Sequence, residues 1–458
     1  MGAEAVVGCH VVTVDDAGTE HRDGHVAWDD AGRLTSVGAG PPDATGRVPV
    51  DGRGLLVTPG LVNAHHHLYQ WITRGHATDA TLFAWLTALY PLWARLTPPL
   101  LHAAASANLG WLALTGCTTS MDHHYVFPHG SGDLLAAEIE AAARIGVRFH
   151  PTRGSMNLGA SDGGLPPDHV VEPHDRILAE TQAAIDRWHD PAPDAMVAVA
   201  VAPCSPFSVT PELMRDCAEL ARASGVRLHT HLAETREEDA FCRERFGRTP
   251  VQYAQDLGWL GEDVWFAHGV HLSAADAALL GATGTGVAHC PTSNGRLGAG
   301  VAPVRQLLDA GVPVGLGVDG AASNESGRMV AELHQALLVA RGAGGPLALT
   351  TREALRLATR GGARLLGREG ELGSLEVGKL ADLACWRLDD LAGAGVEDPV
   401  GALVLGAPRL AHLVVGGRFV VRDGVLLTAD AADLAHDAAR AARTLAARTL
   451  AAPPPSTQ

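Results

Sequence analysis

The chain has 458 residues, 47% of them hydrophobic, with Lys+Arg 35 against Asp+Glu 51 and a formal charge of −16. At roughly 150 residues per domain the length suits several domains, or one α/β barrel of about 250 residues with additions. A mean hydropathy of +0.08 with 19% charged residues excludes a disordered or fibrous chain, and the acidic balance argues against nucleic acid or an anionic membrane as partner.

The first elements alternate with period 2. "AVVGCHVVTVDD" and "GHVAWDDAGRLTSVGAG", punctuated by Asp-Asp and Gly turns, predict a β-meander that continues through "GRGLLVTPG". The opening residues have neither the basic nor the apolar region of a signal peptide, and no run of 18 apolar residues occurs. The seven Cys form no CxxC and read as reduced thiols, so a cytoplasmic location is expected. Pro59-Gly60 ends the meander.

From residue 61 strand and helix patterns alternate. Eight short apolar runs, at 61–65, 118–122, 147–151, 196–202, 226–231, 264–268, 285–289 and 312–318, read as buried parallel strands. Helical patterns such as "GDLLAAEIEAAARIG" and "PELMRDCAELARASG" separate most of them and end at Gly, a C-cap signal. This predicts a distorted TIM-type (β/α)8 barrel. A doubly wound dinucleotide-binding sheet is the alternative, but no GxGxxG follows the first strand. After about residue 370 short strand patterns return in "GSLEVGKLADLACWRLDD" and "AHLVVGGRFVVRDGVLL". The simplest organisation builds one small β-sandwich domain from both chain ends. It comprises 1–57 and 369–428, with the barrel at 58–368 and a helix and tail at 429–458. The Ala-rich helix stops at the prolines of 453–455, and the last residues are expected to be disordered.

Of the 23 His, several fall at barrel strand ends, where polar residues read as catalytic. In "NAHHHL", His65 and His67 are two apart and face one way, while His66 faces the other. "RLHTHLAET" has His231 at the strand end with Glu234 three residues on, and His229 deeper, as a satisfied core imidazole. "WFAHGVHL" brings His268 to the mouth, with His271 in the following loop, and "VGLGVDGAASN" brings Asp319. Three His and one Asp suit a divalent first-row cation, zinc first and iron second. Glu234 and His268 suit proton transfer and polarisation. A cytidine-deaminase mechanism is excluded, because Pro203-Cys204 is not followed by a second Cys at the spacing it needs.

The motifs "PGLVNAHHH", "HTHLAET", "AHGVHL", "HCPTSN" and "GLGVDG", in this order, resemble the amidohydrolase superfamily in its branch of purine, pterin and triazine aminohydrolases. Within that branch "HHHLYQWITRG", "TRGSMNLG", "APCSPFSVT" and "LGVDGAASN" look most like the 8-oxoguanine deaminases. Gly269, where many relatives have Cys, is a departure at a position that is not a ligand. The resemblance implies one metal on His65, His67, His231 and Asp319, with Glu234 as proton shuttle and His268 beside the attacking water. It implies hydrolytic deamination, of 8-oxoguanine to urate, in a homo-oligomer. Isoxanthopterin or pterin deaminase, guanine deaminase and triazine hydrolase are the alternatives within the class. Glu234 weakens the triazine reading, since some dechlorinating relatives lack it. A non-catalytic metal-binding scaffold is the alternative outside it.

An oxidised purine is planar and rich in polar edges, so its pocket needs flat apolar walls and convergent polar groups. Gln70, Tyr125, Arg153 and Cys204, all near strand ends, are the expected substrate contacts, with Arg153 the leading one for a ring carbonyl. Tyr69 and Ser205 are further candidates, and Asn294 and Asn324 secondary ones. Trp71, Trp85 and Trp93 follow the first strand. Trp93 reads as core packing, and Trp85 is open between core and pocket cover. His123, His124 and His129 form another cluster that reads as pocket lining at most.

Overall fold

The computed structural model describes residues 4–43, 49–406 and 408–450. The proline stop at 453–455 lies outside them. Strands β1 (Glu4–Val12), β2 (Glu20–Trp28), β3 (Leu34–Ala39), β4 (Val50–Asp51) and β5 (Leu55–Pro59) come first. Next come β6 (Leu61–Asn63), β7 (Cys117–His124), β8 (Arg148–Ser155), β9 (Ala200–Pro203), β10 (Leu228–Leu232), β11 (Val264–His268), β12 (Gly286–His289) and β13 (Val314–Leu316). The last four are β14 (Leu383–Arg387), β15 (Leu410–Val415), β16 (Arg418–Arg422) and β17 (Val425–Leu426).

β6 to β13 pair in chain order, all parallel, and helices cover their outer face. The seam between β6 and β13 closes just past the strand ends. Ala64 N–H donates to Leu316 O at 2.9 Å and Asp319 N–H to His65 O at 3.0 Å, while Asn63 Oδ1 accepts from Val318 N–H at 2.9 Å. These bonds draw the first and last active-site segments together, and β6 and β13 are only three residues each, which is the distortion of the barrel.

Two strands differ from their sequence runs by four residues at one end, the others by one or two or not at all. β9 begins at Ala200, not 196, with Val197 making only an isolated bridge to Phe149. The cause is that Arg148 and Arg368 take the carbonyls of Pro193, Asp194 and Ala195 and hold that segment off the ladder. β8 runs on to Ser155, pairing Arg153 with His124 of β7.

The chain ends share one sheet of nine strands, in the order β17-β16-β15-β14-β5-β1-β2-β3 with β4 beside β1. The antiparallel pair β5·β14 joins the two ends. The expected sandwich is therefore one continuous sheet curled over its own core. Trp28 of β2 donates from Nε1 to Gly417 O at 2.9 Å and packs on Phe419 of β16, five strands away in the sheet order. The passage from β5 into β6 turns on Gly60, where a Cβ would meet Thr118 Oγ1 at 2.3 Å. The C-terminal helix Ala431–Leu450 buries Leu434, Ala438, Ala441 and Leu445, packing on helix Pro98–Leu114. All seven Cys are free and buried. Among the described residues no helix is long and apolar enough to cross a membrane.

Candidate active site

At the C-terminal ends of the barrel strands the apolar runs give way to His, Glu and Asp, and these meet. His65 and His67 follow β6, His231 lies in β10 with Glu234 two residues past its end, His268 ends β11 and Asp319 follows β13. His268 (φ 74°), Asp319 (φ 63°) and Ala233 (φ 55°), beside Glu234, all hold left-handed backbone, which costs a non-glycine residue of order 1 kcal/mol or more. Strained positions thus gather where the functional side chains must be aimed.

His65 Nε2 and His67 Nε2 each lie 3.3 Å from Asp319 Oδ1, and His67 Nε2 lies 3.1 Å from His231 Nε2. The far side of each ring settles its tautomer, because a backbone carbonyl only accepts. His67 Nδ1–H donates to His123 O and His231 Nδ1–H to Cys204 O, both at 2.7 Å. His229 Nδ1–H donates to Trp265 O at 2.9 Å, so His229 Nε2 is an acceptor and must receive the His65 Nδ1–H, also at 2.9 Å. Three imidazole Nε2 lone pairs and one carboxylate oxygen therefore converge with no hydrogen between them. His65 Nε2 is a buried atom without a partner. Burial holds His65 and His231 well below their ordinary pKa and His67 at about 4, so all three are neutral near pH 7. Four mutually repelling acceptors in a buried site fit a divalent cation.

Around these donors stands a supporting set. Ser293 and Ser323 donate their hydroxyls to Asp319 Oδ2, and Gly320 N–H donates to Oδ1. His268 Nδ1–H donates to Asn294 Oδ1 at 2.9 Å, which turns its Nε2 toward Glu234 Oε2, 3.6 Å away. The Glu238 carboxylate accepts Ala233 N–H and Glu234 N–H, fixing the backbone beneath Glu234. Burial, with the Asp319 charge beside it, pushes the Glu234 carboxyl well above the usual range.

A cavity of about 30 Å³ lies over this floor. Its roof is apolar and comes from helix Leu82–Trp93, through Leu82, Trp85, Leu86 and Tyr90, with Phe207 and Leu297 completing it. Gln70, Tyr125 and Cys204 line the cavity as expected for substrate contacts. Gln70 Oε1 accepts Ala322 N–H at 3.3 Å, and a side chain at Gly320 would collide with that carboxamide, so Gly320 keeps its space open.

Arg153, the leading sequence candidate, is elsewhere. It lies on the face of β8 turned to the surrounding helices, with its guanidinium over Phe127 and paired with Glu172 at 2.9 Å. The side-chain alternation of a strand that continues to Ser155 turns it out of the barrel. Ser205 bonds Ser208, and Asn324 bonds Val318 O and Glu332, so both are structural, while Asn294 serves His268. Tyr69 is buried against Trp93, Tyr125 and His124, and Trp71 lies beneath Arg74. Trp85 is a pocket wall, whereas Trp93 packs inside and donates to Thr73 Oγ1. None of His123, His124 and His129 lines the cavity. His123 lies inside the barrel against His231, His124 faces out of the barrel toward Glu138, and His129 bonds Val171 O. His271 bonds Ala299 O. Of the apolar roof the sequence marks only Trp85 as a candidate, because Leu82, Leu86, Tyr90, Phe207 and Leu297 are not polar residues at strand ends.

The model of the amidohydrolase family matches residues 56–427. An 8-oxoguanine deaminase of Pseudomonas aeruginosa is 49% identical over 302 residues, 66% of this chain and 67% of that protein. An isoxanthopterin deaminase from an unknown prokaryotic organism is 41% identical over 321 residues, 69% of this chain and 66% of that protein. Among solved structures, the zinc complex of an atrazine chlorohydrolase from Arthrobacter aurescens TC1 superposes with a TM-score of 0.92 at 35% identity, covering 96% of this chain and 100% of that one.

Proposed function

This chain belongs to the amidohydrolase family, and on that premise we propose that it is a metal-dependent hydrolytic deaminase that converts an oxidised purine, 8-oxoguanine, to urate with release of ammonia. The observation that carries the reading is the convergence of three imidazole lone pairs and Asp319 beside a buried acid, Glu234, under an apolar roof. The likeness to the Pseudomonas enzyme supports the choice of substrate.

His65, His67, His231 and Asp319 hold one divalent ion, zinc by analogy with the zinc-bound relative. When bound, such an ion supplies Lewis acidity, so that water ionises near neutral pH. Glu234 gives its proton to the ring nitrogen next to the carbon bearing the amino group. Water adds through oxygen to that carbon, and its first proton restores Glu234. Asp319 takes the proton of the added hydroxyl and passes it to the amino group, which leaves as ammonia while the carbonyl forms. His268, aimed by Asn294, accepts a hydrogen bond from the attacking water. Gln70, its oxygen held by Ala322, offers its NH₂ to a ring carbonyl. Trp85 and Phe207 cover the ring faces.

A pterin is the second reading, since apolar roof residues suit a flat bicycle of either kind and the isoxanthopterin deaminase is also similar. Ammonia release from 8-oxoguanine, guanine, isoxanthopterin and hydroxyatrazine under identical conditions separates these. Turnover of 8-oxoguanine is expected to have the highest kcat/KM, and a higher value for any other compound overturns the substrate. Glu234→Gln is expected to retain metal and lose about 10²–10⁴ in kcat. A metal-free, inactive parent protein would instead mark a non-catalytic scaffold.

A further inference from the structure

A second buried group lies outside the barrel, between β7 and helix Leu134–Ile145. Asp122 and His124 project from the outer face of β7, and Glu138 of the helix meets them, all three fully buried. The atoms of this group are all acceptors. His124 Nε2–H donates to Val126 O at 2.9 Å, which leaves Nδ1 as a lone pair, and Nδ1 faces Glu138 Oε1 at 3.0 Å. Asp122 Oδ1 accepts Leu68 N–H, and its other oxygen is left to the Glu138 carboxyl. Asp122 Oδ2, both Glu138 oxygens and His124 Nδ1 thus lack any donor from the protein. The nearby Arg153 guanidinium is committed to Glu172.

Two acceptor-to-acceptor contacts require something positive between them. Two protons suffice. With Asp122 O–H donating to Glu138 and Glu138 Oε1–H donating to His124 Nδ1, every polar atom has one partner and the group is neutral. The chain then runs without a break from Leu68 N–H to Val126 O. A divalent ion is the other solution, but Asp122 Oδ1 is already used, and only three ligands remain in an enclosed site. Burial pushes both carboxyls well above their usual range and His124 down to about 4, in accord with the neutral arrangement.

We propose that Asp122, Glu138 and His124 form a neutral hydrogen-bonded chain, closed by two shared protons, that positions the 65–67 segment for metal binding. The connection is direct. Leu68, held by Asp122, follows His67, and His123, between the two β7 members of the chain, donates N–H to His66 O and accepts His67 Nδ1–H. These are positioning residues, and the inference rests on the reading of His65 and His67 as ligands.

Amide variants test it, because an amide can replace each shared proton. In Glu138→Gln the NH₂ donates to His124 and the carbonyl accepts from Asp122. In Asp122→Asn the NH₂ donates to Glu138 and the carbonyl still accepts Leu68 N–H. Both variants are expected to keep the parent zinc stoichiometry, with zinc affinity, by chelator competition, within about twofold. Each should remove part of the infrared C=O band of protonated carboxylic acids at neutral pH. Glu138→Leu, which strands Asp122 and His124, is expected to weaken zinc binding about 10–100-fold. Loss of a metal equivalent in the amide variants would reveal a cation site and overturn the proposal. So would an unchanged infrared band, or parent-like zinc affinity in Glu138→Leu. If Glu138→Leu does not fold, the amide variants and the infrared band still decide. A His67→Ala protein that keeps its zinc would sink the ligand assignment instead, without touching the infrared result.

Discussion

The donor properties of the site depend on one residue that no substrate and no metal needs to touch. His229 accepts the His65 Nδ1–H only because its own Nδ1–H is tied to Trp265 O, stacked below it. Remove that acceptor and His65 is free to carry its proton on Nε2, where it blocks a ligand position. His229→Leu is therefore expected to weaken zinc binding about 10–100-fold with little change in fold, read by chelator competition and circular dichroism. Parent-like affinity would show that His65 does not depend on this tautomer relay. The same residue illustrates what sequence can tell. Its position two before His231 marks it as inward and deep, and it reads there as a satisfied imidazole. What satisfies it, a carbonyl of the next strand on one side and a ligand imidazole on the other, is a fact of barrel closure. Arg153 shows the converse. A strand judged to stop at 151 puts it in a loop over the pocket, and two more residues of pairing with β7 turn it away.

At the scale of elements, "FAWLTALYPLWARL" is legible as an amphipathic helix, but amphipathicity alone does not say which partner its apolar face covers. Here helix Leu82–Trp93 lies across the barrel mouth, and the site's cavity of about 30 Å³ is the result. At about 10–15 Å³ per water centre that is room for roughly two waters, too little for a purine. Entry of a purine is therefore expected to displace the roof. Its approach segment is fastened by Arg296, which donates to Ala77 O at 3.1 Å and His76 O at 3.2 Å while paired with Glu325. Ala77 holds φ 48°, so the strap also retains an unfavourable backbone. Trp85 adds one bond from Nε1 to Ala322 O. Arg296→Ala is expected to cost the closed state about 1 kcal/mol and so raise the open fraction of the free enzyme roughly fivefold. Amide exchange over 76–86 should quicken at the same time. Unchanged exchange there would refute Arg296 as the fastening.

Across the whole molecule the two sheets are joined at the end of the barrel away from the site. The pairing of first and last strand patterns into one sheet is readable from their shared texture, since both alternate with period 2 where the middle does not. How that sheet is bolted to the barrel is not readable, because it depends on Asp382, an acid inside an ordinary "KLADLA" turn. Asp382 receives Arg148 Nε at 2.8 Å and Nη2 at 3.1 Å, and Gly416 N–H at 2.7 Å, while its carbonyl accepts Gly60 N–H at 2.9 Å. One residue thus ties β8 of the barrel, the β15–β16 turn and the passage from β5 to β6. Both charges of the pair are buried, so removing one leaves the other without compensation, a loss of about 3–5 kcal/mol. Asp382→Ala is expected to lower the denaturant midpoint accordingly, while kcat and zinc affinity per folded molecule stay at parent values. Asp382→Asn should lie between, since it keeps an acceptor for Gly416 and loses the charge. A loss below about 1 kcal/mol in the alanine variant would mean that Arg148 finds water or the carbonyls of Asp194 and Ala195 sufficient, and that the sheet is held to the barrel by apolar packing instead.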